Sequence, residues 1–269
     1  MTTSRTRLVC LLGHPVAHSI SPEIHTAAFS AAGVDAAYLA CDVAAERLAE
    51  AVRGLRALAF LGANVTVPHK RAVLGLVDAG TPEAEAVGAA NTLFWEGDRL
   101  LADNTDAAGL QSVLEQELRL DAGATAVILG AGGAARAAAV ALGRLGARVE
   151  VVARREDAAR EVAALARRLG ADTGPVTDPH VVVNATPLGL QGEALPERFM
   201  RLGPGQVALD LVYGPTDTPF LAAARATGAE AHDGTGMLVA QAARAFERWT
   251  GGAAPLEAMR AAALAALGR

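Results

Sequence analysis

Val127-Ile128-Leu129-Gly130-Ala131-Gly132-Gly133-Ala134-Ala135 passes from an apolar run through a glycine turn into an alanine-rich helical segment. Gly130, Gly132 and Ala135 match the G-x-G-x-x-G/A dinucleotide fingerprint, and they do so between a strand (Ala124–Leu129) and a helix (Ala134–Leu145). The first glycine permits the tight turn, the second lets backbone approach a pyrophosphate, and the small third residue allows close helix–strand packing. Helix N–H groups and the helix dipole then face the phosphates. The bland reading is a merely structural tight turn, against which the flanking strand and helix argue.

The next strand, Arg148–Ala153, leads into Arg154-Arg155. At that strand end an acid selects the free ribose 2′-hydroxyl of NAD, and an arginine suits the 2′-phosphate of NADP. Glu150 is followed by three apolar residues and is expected inside the strand, so Arg154 or Arg155 is placed to clamp a phosphate and NADP is the favoured cofactor. The competing reading is a solvated basic helix start neutralised by Glu156 and Asp157. Further strands are expected at Val181–Asn184 and Val207–Leu211, and near-continuous apolar runs of this kind suit a parallel sheet covered on both faces.

A first α/β series precedes this one. Strands are expected at Leu8–Leu12, Ala37–Cys41 and Leu61–Val67, with helices from Ser21-Pro22-Glu23 to about Gly33 and over Ala44–Leu58. Ser21 is the expected N-cap, with Pro22 at the first helical position. Asn91–Trp95 and Arg99–Ala102 form a hairpin around Glu96-Gly97-Asp98, a helix follows over Asp106–Leu118, and Met237–Leu267 is helical with a break at Gly251-Gly252. The fold class is α/β in two domains, dividing near residues 102–106.

Of 269 residues, 52% are hydrophobic and only 4% aromatic, so the core is built from Ala, Val and Leu, and disorder is excluded as the main state. Net charge is −5 with no dense Lys/Arg block, which argues against a nucleic-acid partner. Mean hydropathy is +0.27, but no uncharged stretch reaches the roughly 18 residues that span a bilayer. Arg5 and Arg7 before Leu8–Leu12 faintly imitate a signal peptide, and Gly13-His14-Pro15 cuts that run short. A soluble, cytoplasmic protein is expected. Cys10 and Cys41 make no C-x-x-C and are expected as buried thiols.

Asn64 and Thr66 alternate at a strand end closed by Pro68, with Lys70 in the turn, at the kind of strand terminus where α/β sheets bind ligands. Taken singly, Lys70 reads as a surface lysine and Asn104-Thr105-Asp106 as a helix cap region. Ser19 and Ser21 before Pro22 place two hydroxyls and free N–H groups where a carboxylate can bind. His14, His18 and His25 suggest a metal site, but Pro15 and Pro22 interrupt any common helix and no carboxylate cluster completes one, so no metal is expected. The absence of G-x-S-x-G weakens a hydrolase reading.

Taken in order, Gly13-His14-Pro15-Val16-Ala17-His18-Ser19-Ile20-Ser21-Pro22, Asn64-Val65-Thr66-Val67-Pro68-His69-Lys70, Gly88-Ala89-Ala90-Asn91-Thr92, Asp103-Asn104-Thr105-Asp106, the Gly130–Ala134 loop, Asn184-Ala185-Thr186-Pro187-Leu188-Gly189, Asp210-Leu211-Val212-Tyr213-Gly214-Pro215 and Gly234-Thr235-Gly236-Met237-Leu238 through Gln241 resemble the shikimate dehydrogenase family over nearly the whole chain. The resemblance implies reversible NADPH-dependent reduction of 3-dehydroshikimate to shikimate, in aromatic amino-acid biosynthesis. It implies a substrate domain (1–103), a Rossmann-like nucleotide-binding domain (104–236) and C-terminal helices (237–269) returning to the first, with the active site in the cleft between domains. By the same resemblance Ser19 and Ser21 bind the substrate carboxylate with Tyr213 nearby. Asn64, Thr66, Asn91, Asp106 and Gln241 hold the hydroxyls, and Lys70 and Asp106 form the catalytic pair. Gly130, Ala131, Gly132, Gly133, Ala134, Arg154, Arg155, Thr186, Leu211, Gly234 and Met237 line the cofactor.

Two positions depart from the family pattern. Ala153-Arg154-Arg155 stands where Asn-Arg-Thr is common, so two donors are missing and a second arginine is present. His25-Thr26 stands where His-Asn is usual, a change expected to be tolerated in a helix. The competing functions are a quinate/shikimate dehydrogenase using both NAD and NADP, and a catalytically silent binding relative, whose signature would be loss of Lys70 or Asp106. A monomer or homodimer binding a small molecule, with no membrane partner, is expected.

Overall fold

The computed structural model describes residues 2–269. The chain divides into two units, one running to Asp106 and resuming at Val239–Arg269, the other Ala107–Leu238. The C-terminal residues thus group with the N-terminal ones.

In chain order the first unit holds β1 (Arg7–Gly13), α1 (Ser21–Ala31), β2 (Ala36–Asp42), α2 (Leu48–Ala57, entered through a tight turn at Ala45–Arg47), β3 (Gly62–Val65), β4 (Ala79–Gly80), α3 (Pro82–Val87), β5 (Thr92–Glu96) and β6 (Arg99–Asp103). Its sheet runs β2-β1-β3-β5-β6-β4. β1 pairs in parallel with β2 and β3, whereas the β5–β6 hairpin runs antiparallel to β3. The buried side chains of Cys10, Leu12, Val52, Leu55, Val65, Leu93 and Leu100 form one core on this sheet. β3 stops at Val65, two residues short of the expected end, because Pro68 has no N–H to continue a ladder. Short β4 and α3 were not expected; α3 is set by Thr81, whose hydroxyl accepts from Ala84 N–H, and ends at Gly88 with φ +67°.

α4 (Thr105–Ser112) continues as a π turn over Val113–Glu117. Then come β7 (Thr125–Leu129), α5 (Gly133–Arg144), β8 (Arg148–Val152), α6 (Glu156–Arg168), β9 (Asp172–Thr173), β10 (Val181–Asn184), α7 (Glu197–Met200), β11 (Val207–Asp210), α8 (Pro219–Ala226) and β12 (Glu230–His232). This second sheet is wholly parallel, in the order β12-β11-β10-β7-β8-β9, with the glycine turn at the end of its β7 strand. α9 (Thr235–Thr250) and α10 (Leu256–Ala266) close the chain. They separate at Gly251, whose φ of +68° ends a helix without steric cost. α10 packs on α1.

Both cysteines are free, Cys10 buried and Cys41 half-buried. The neighbouring Cys41 thiol and burial push the Cys10 thiol up, while Cys10 holds the Cys41 thiol down at about 7. No helix among the described residues is long and apolar enough to cross a membrane.

Candidate active site

Asn64, Lys70, Asn91, Asp106 and Gln241 form one linked polar cluster at the ends of β3, β5 and β6. Lys70 Nζ donates to Asp106 Oδ2 at 2.6 Å, and the two side chains are only 18% and 6% exposed. Lys70 is held by the turn after β3, where Ala90 N–H donates to its carbonyl at 2.7 Å. Asp106 sits in the first turn of α4, where a carboxylate also meets the positive end of the helix dipole.

Asn91 organises the rest. Its Nδ2 lies 2.9 Å from Asp106 Oδ1, 2.9 Å from Thr105 Oγ1 and 3.2 Å from Gln241 Oε1. Its Oδ1 accepts from the Thr105 N–H at 2.8 Å, so a side chain remote in sequence caps α4. One buried amide therefore fixes the carboxylate, the helix start and a residue of α9. Asn64, also buried, accepts from the Tyr38 hydroxyl at 2.8 Å and donates to Asn91 O and Thr92 Oγ1 at 3.0 and 3.2 Å. Thr66 follows the end of β3, half-buried, its backbone bridging Leu12 O and His69 N–H.

Ser21 is not the N-cap that its position suggests. α1 begins at Ser21 itself, Ile20 occupies the cap position without a side-chain bond, and Pro22 is the second helical residue. Ser19 takes the local role instead: its Oγ accepts from Ser21 N–H at 3.2 Å and donates to Ser21 Oγ at 3.2 Å. The two hydroxyls are thus paired at a helix N-terminus. His14 and His25 have separate roles. His14 Nδ1 lies 2.5 Å from Asp42 Oδ1 on the surface, while His25 is fully buried. No group of three His, Cys, Asp or Glu side chains among the described residues has metal-site geometry.

In the second unit Gly130 has φ +112°, and a Cβ there would lie 2.7 Å from Ala185 O and 3.2 Å from Thr186 Cγ2, so only glycine fits. Gly132 is the reverse case. It is exposed, with open space where a Cβ would stand, so the N-terminus of α5 can be approached across Gly132, Gly133 and Ala134. This opening, bordered by half-buried Ala131, fits a pyrophosphate. Glu150 lies within β8 as expected and accepts from Val176 N–H at 2.8 Å. Arg154 and Arg155 are both exposed just past β8, but Arg155 is tied to Asp157 at 2.5 Å, whereas Arg154 has no ion pair among the described residues.

Sequence reasoning missed the support behind this loop. Buried Asp210 accepts from Asn184 Nδ2 at 2.8 Å, Val212 N–H at 3.0 Å and the Thr218 hydroxyl at 2.6 Å; burial raises its pKa. Asn184 Oδ1 in turn accepts from the Thr186 hydroxyl at 2.6 Å, setting the residue that borders Gly130. Both Asn184 and Asp210 end strands, which was the available signal. Gly234 packs on Leu211, with a would-be Cβ 2.5 Å from Leu211 O, and Met237 is buried on the first turn of α9. Tyr213 lies in this unit, in the loop after β11, where burial raises its phenol pKa.

A family model described as the shikimate dehydrogenase substrate binding domain matches residues 11–93, and one described as the shikimate 5'-dehydrogenase C-terminal domain matches residues 234–264. A shikimate dehydrogenase (NADP(+)) of Anaeromyxobacter sp. (strain Fw109-5) is 48% identical over 290 residues, covering 100% of this chain and 99% of the relative. The chain belongs to the shikimate dehydrogenase family.

Shikimate dehydrogenases of known structure share the fold. One solved in complex with NADP+ superposes with a TM-score of 0.92 at 33% identity, covering 100% of this chain and 98% of the other. The Thermus thermophilus enzyme, solved with NADP(H) and shikimate, gives 0.86 at 38% identity, covering 97% and 100%. Membership makes the chain an oxidoreductase.

Proposed function

We propose that the protein interconverts 3-dehydroshikimate and shikimate with NADP(H), with Lys70 as principal acid/base and Asp106 as its orienting partner. The observation that carries this reading is the mostly buried Lys70–Asp106 contact of 2.6 Å, braced from behind by Asn91. Residues 1–103 with the helices of 237–269 would serve the substrate, and 104–236 the cofactor.

The chemistry asks little more of the chain. When bound, NADPH supplies the hydride that reduces the C3 carbonyl. The carbonyl oxygen becomes an alkoxide, which requires a proton and a nearby positive charge. Lys70 Nζ can meet both needs, while the Asp106 carboxylate aims the ammonium and balances its charge. Ser19 and Ser21, paired at the start of α1, would bind the substrate carboxylate with Tyr213. Asn64, Thr66, Asn91 and Gln241 would hold the ring hydroxyls. The Gly130–Ala134 loop would receive the pyrophosphate. Arg154 and Arg155 would meet the 2′-phosphate, and Thr186, Leu211, Gly234 and Met237 would line the remainder of the cofactor.

The test is reduced-nicotinamide formation by the purified protein, crossing shikimate and quinate with NADP and NAD. Preference for shikimate with NADP is the expected result. Comparable turnover of quinate or NAD would replace it with a broader quinate/shikimate dehydrogenase, and no turnover by folded protein would leave a binding-only role.

A further inference from the structure

Behind Asn64 lies an aromatic layer that none of these roles uses. Tyr38, buried on β2, donates its hydroxyl to Asn64 Oδ1 at 2.8 Å. The Asn64 amide hydrogens are spent on Asn91 O at 3.0 Å and Thr92 Oγ1 at 3.2 Å. Turning the amide over would set its oxygen against the Asn91 carbonyl, two acceptors face to face, so the network admits one orientation, which the Tyr38 hydroxyl completes by donating to Oδ1. Asn64 can then meet a ligand only as an acceptor, through the second lone pair of Oδ1.

The Tyr38 ring is itself held in place. It stacks on His25 with ring centres 4.5 Å apart and planes 9° apart, and Trp249 tilts against both rings at 6.2 and 5.0 Å. Trp249 is anchored by its Nε1–H to Leu93 O at 2.9 Å, and it fills the space over Gly62, where a Cβ would lie 2.3 Å from Nε1. His25 stands one turn after Ser21 on α1, so the same layer lies behind the paired serines and behind Asn64.

We propose that Tyr38 is a positioning residue for substrate binding, whose hydroxyl locks the Asn64 amide so that Oδ1 accepts a hydrogen bond from a ring hydroxyl of the polyhydroxylated substrate. The proposal rests on the reading of Asn64 as a substrate-binding residue. It makes the site selective for a ligand that donates at this point, and a ligand presenting a bare acceptor there would meet lone pair against lone pair.

The experiment is a double-mutant cycle of Tyr38→Phe and Asn64→Ala, read by steady-state kinetics and thermal unfolding. Tyr38→Phe keeps the ring and its stacking while removing the hydroxyl that donates to Asn64. It should raise the shikimate KM about tenfold, leave kcat within about twofold and leave the NADP KM unchanged. In the Asn64→Ala background the same change should add less than about twofold. An unchanged shikimate KM in Tyr38→Phe, or an equal effect with and without Asn64, would overturn the proposal. If Asn64→Ala alone leaves the shikimate KM at the wild-type value, the reading of Asn64 itself fails, and the role of Tyr38 with it. A second measurement needs no variant to fold. The chain has two tyrosines, so the Cζ resonance of labelled Tyr38 can be followed in the wild-type protein. Saturating shikimate should shift it, and an unmoved resonance would count against the proposal.

Discussion

Arg248 Nε donates to Asp103 Oδ2 at 2.8 Å, joining α9 to the end of β6 about two turns beyond Gln241. The Asp103 carboxylate is 5% exposed and Arg248 47%, with the guanidinium also 5.0 Å from the Phe94 ring centre. Asp103 Oδ1 takes the Thr81 hydroxyl and the Asn104 N–H at 2.6 and 2.9 Å. Arg248→Met would leave Oδ2 without its cation. Stability should fall by about 1–3 kcal/mol, between the limits for exposed and buried pairs. Because the helix carrying Gln241 loses an anchor, the shikimate KM should rise as well. Urea unfolding and steady-state kinetics check the two halves separately.

Lys70 has a sharper expected signature. If it carries the proton, Lys70→Ala should lower kcat by about 10²–10⁴-fold, while the shikimate KM changes far less. Asp106→Asn keeps the shape and loses the charge that orients the ammonium, so its kcat should fall by a smaller factor. A Lys70→Ala enzyme with near-normal kcat would remove Lys70 from the chemistry.

Asn91→Ala tests the organising amide. It takes the acceptor from Thr105 N–H and a donor from Asp106 Oδ1, leaving buried polar groups unmatched. Such losses cost about 1–3 kcal/mol each, so a Tm drop and a fall in kcat are expected together. Asn91→Asp restores the acceptor for Thr105 but sets a second carboxylate beside Asp106. It should recover part of the stability and little of the kcat.

What the sequence makes legible follows from how local each signal is. The Gly130–Ala135 turn is read directly because strand, turn and helix lie within one short stretch, and its first glycine, Gly130, has a steric cause visible in the fold. The β5–β6 hairpin is equally local. β4, β9 and β12 are two or three residues long and carry no period, so their pairing depends on neighbours remote in sequence. Ser21 looks like a cap by type and position, yet Ser19 and the entering chain decide the geometry. Tyr38 escapes notice for the same reason as Asp210. Each acts on a residue twenty-six positions away, through a contact that exists only once the strands of its sheet have assembled.

Arg154 and Arg155 are adjacent and exposed, but they are not equivalent. Arg155 already spends its guanidinium on Asp157, which holds that carboxyl down at about 2. Arg154→Ser should therefore raise the NADP KM by about tenfold or more, the loss expected for one charge-assisted phosphate contact. Arg155→Ser should raise it less, and the NAD KM should stay unchanged in both. The reverse ranking would make Arg155 the phosphate clamp and its pairing with Asp157 dispensable.

His25 gives the fold a pH limit whose sign can be worked out. Its ring is fully buried among Phe29, Tyr38 and Trp249, and burial lowers its pKa to about 3. In the unfolded chain a histidine titrates near 6.5. Between these values the unfolded state binds a proton that the native state refuses. The neutral ring's contribution is thus fully present above about pH 6.5 and is lost as pH falls toward 3. From pH 7 to 4.5 the expected loss is roughly 2–3 kcal/mol from this group. His25→Phe keeps an aromatic ring against Tyr38 and cannot titrate. Urea unfolding at pH 7 and 4.5 should show the wild-type protein losing more stability than the variant by about that amount. Equal losses in the two proteins would mean that the unfolded state gains no proton at position 25 that the native state lacks, and the buried ring would have to be charged in the fold.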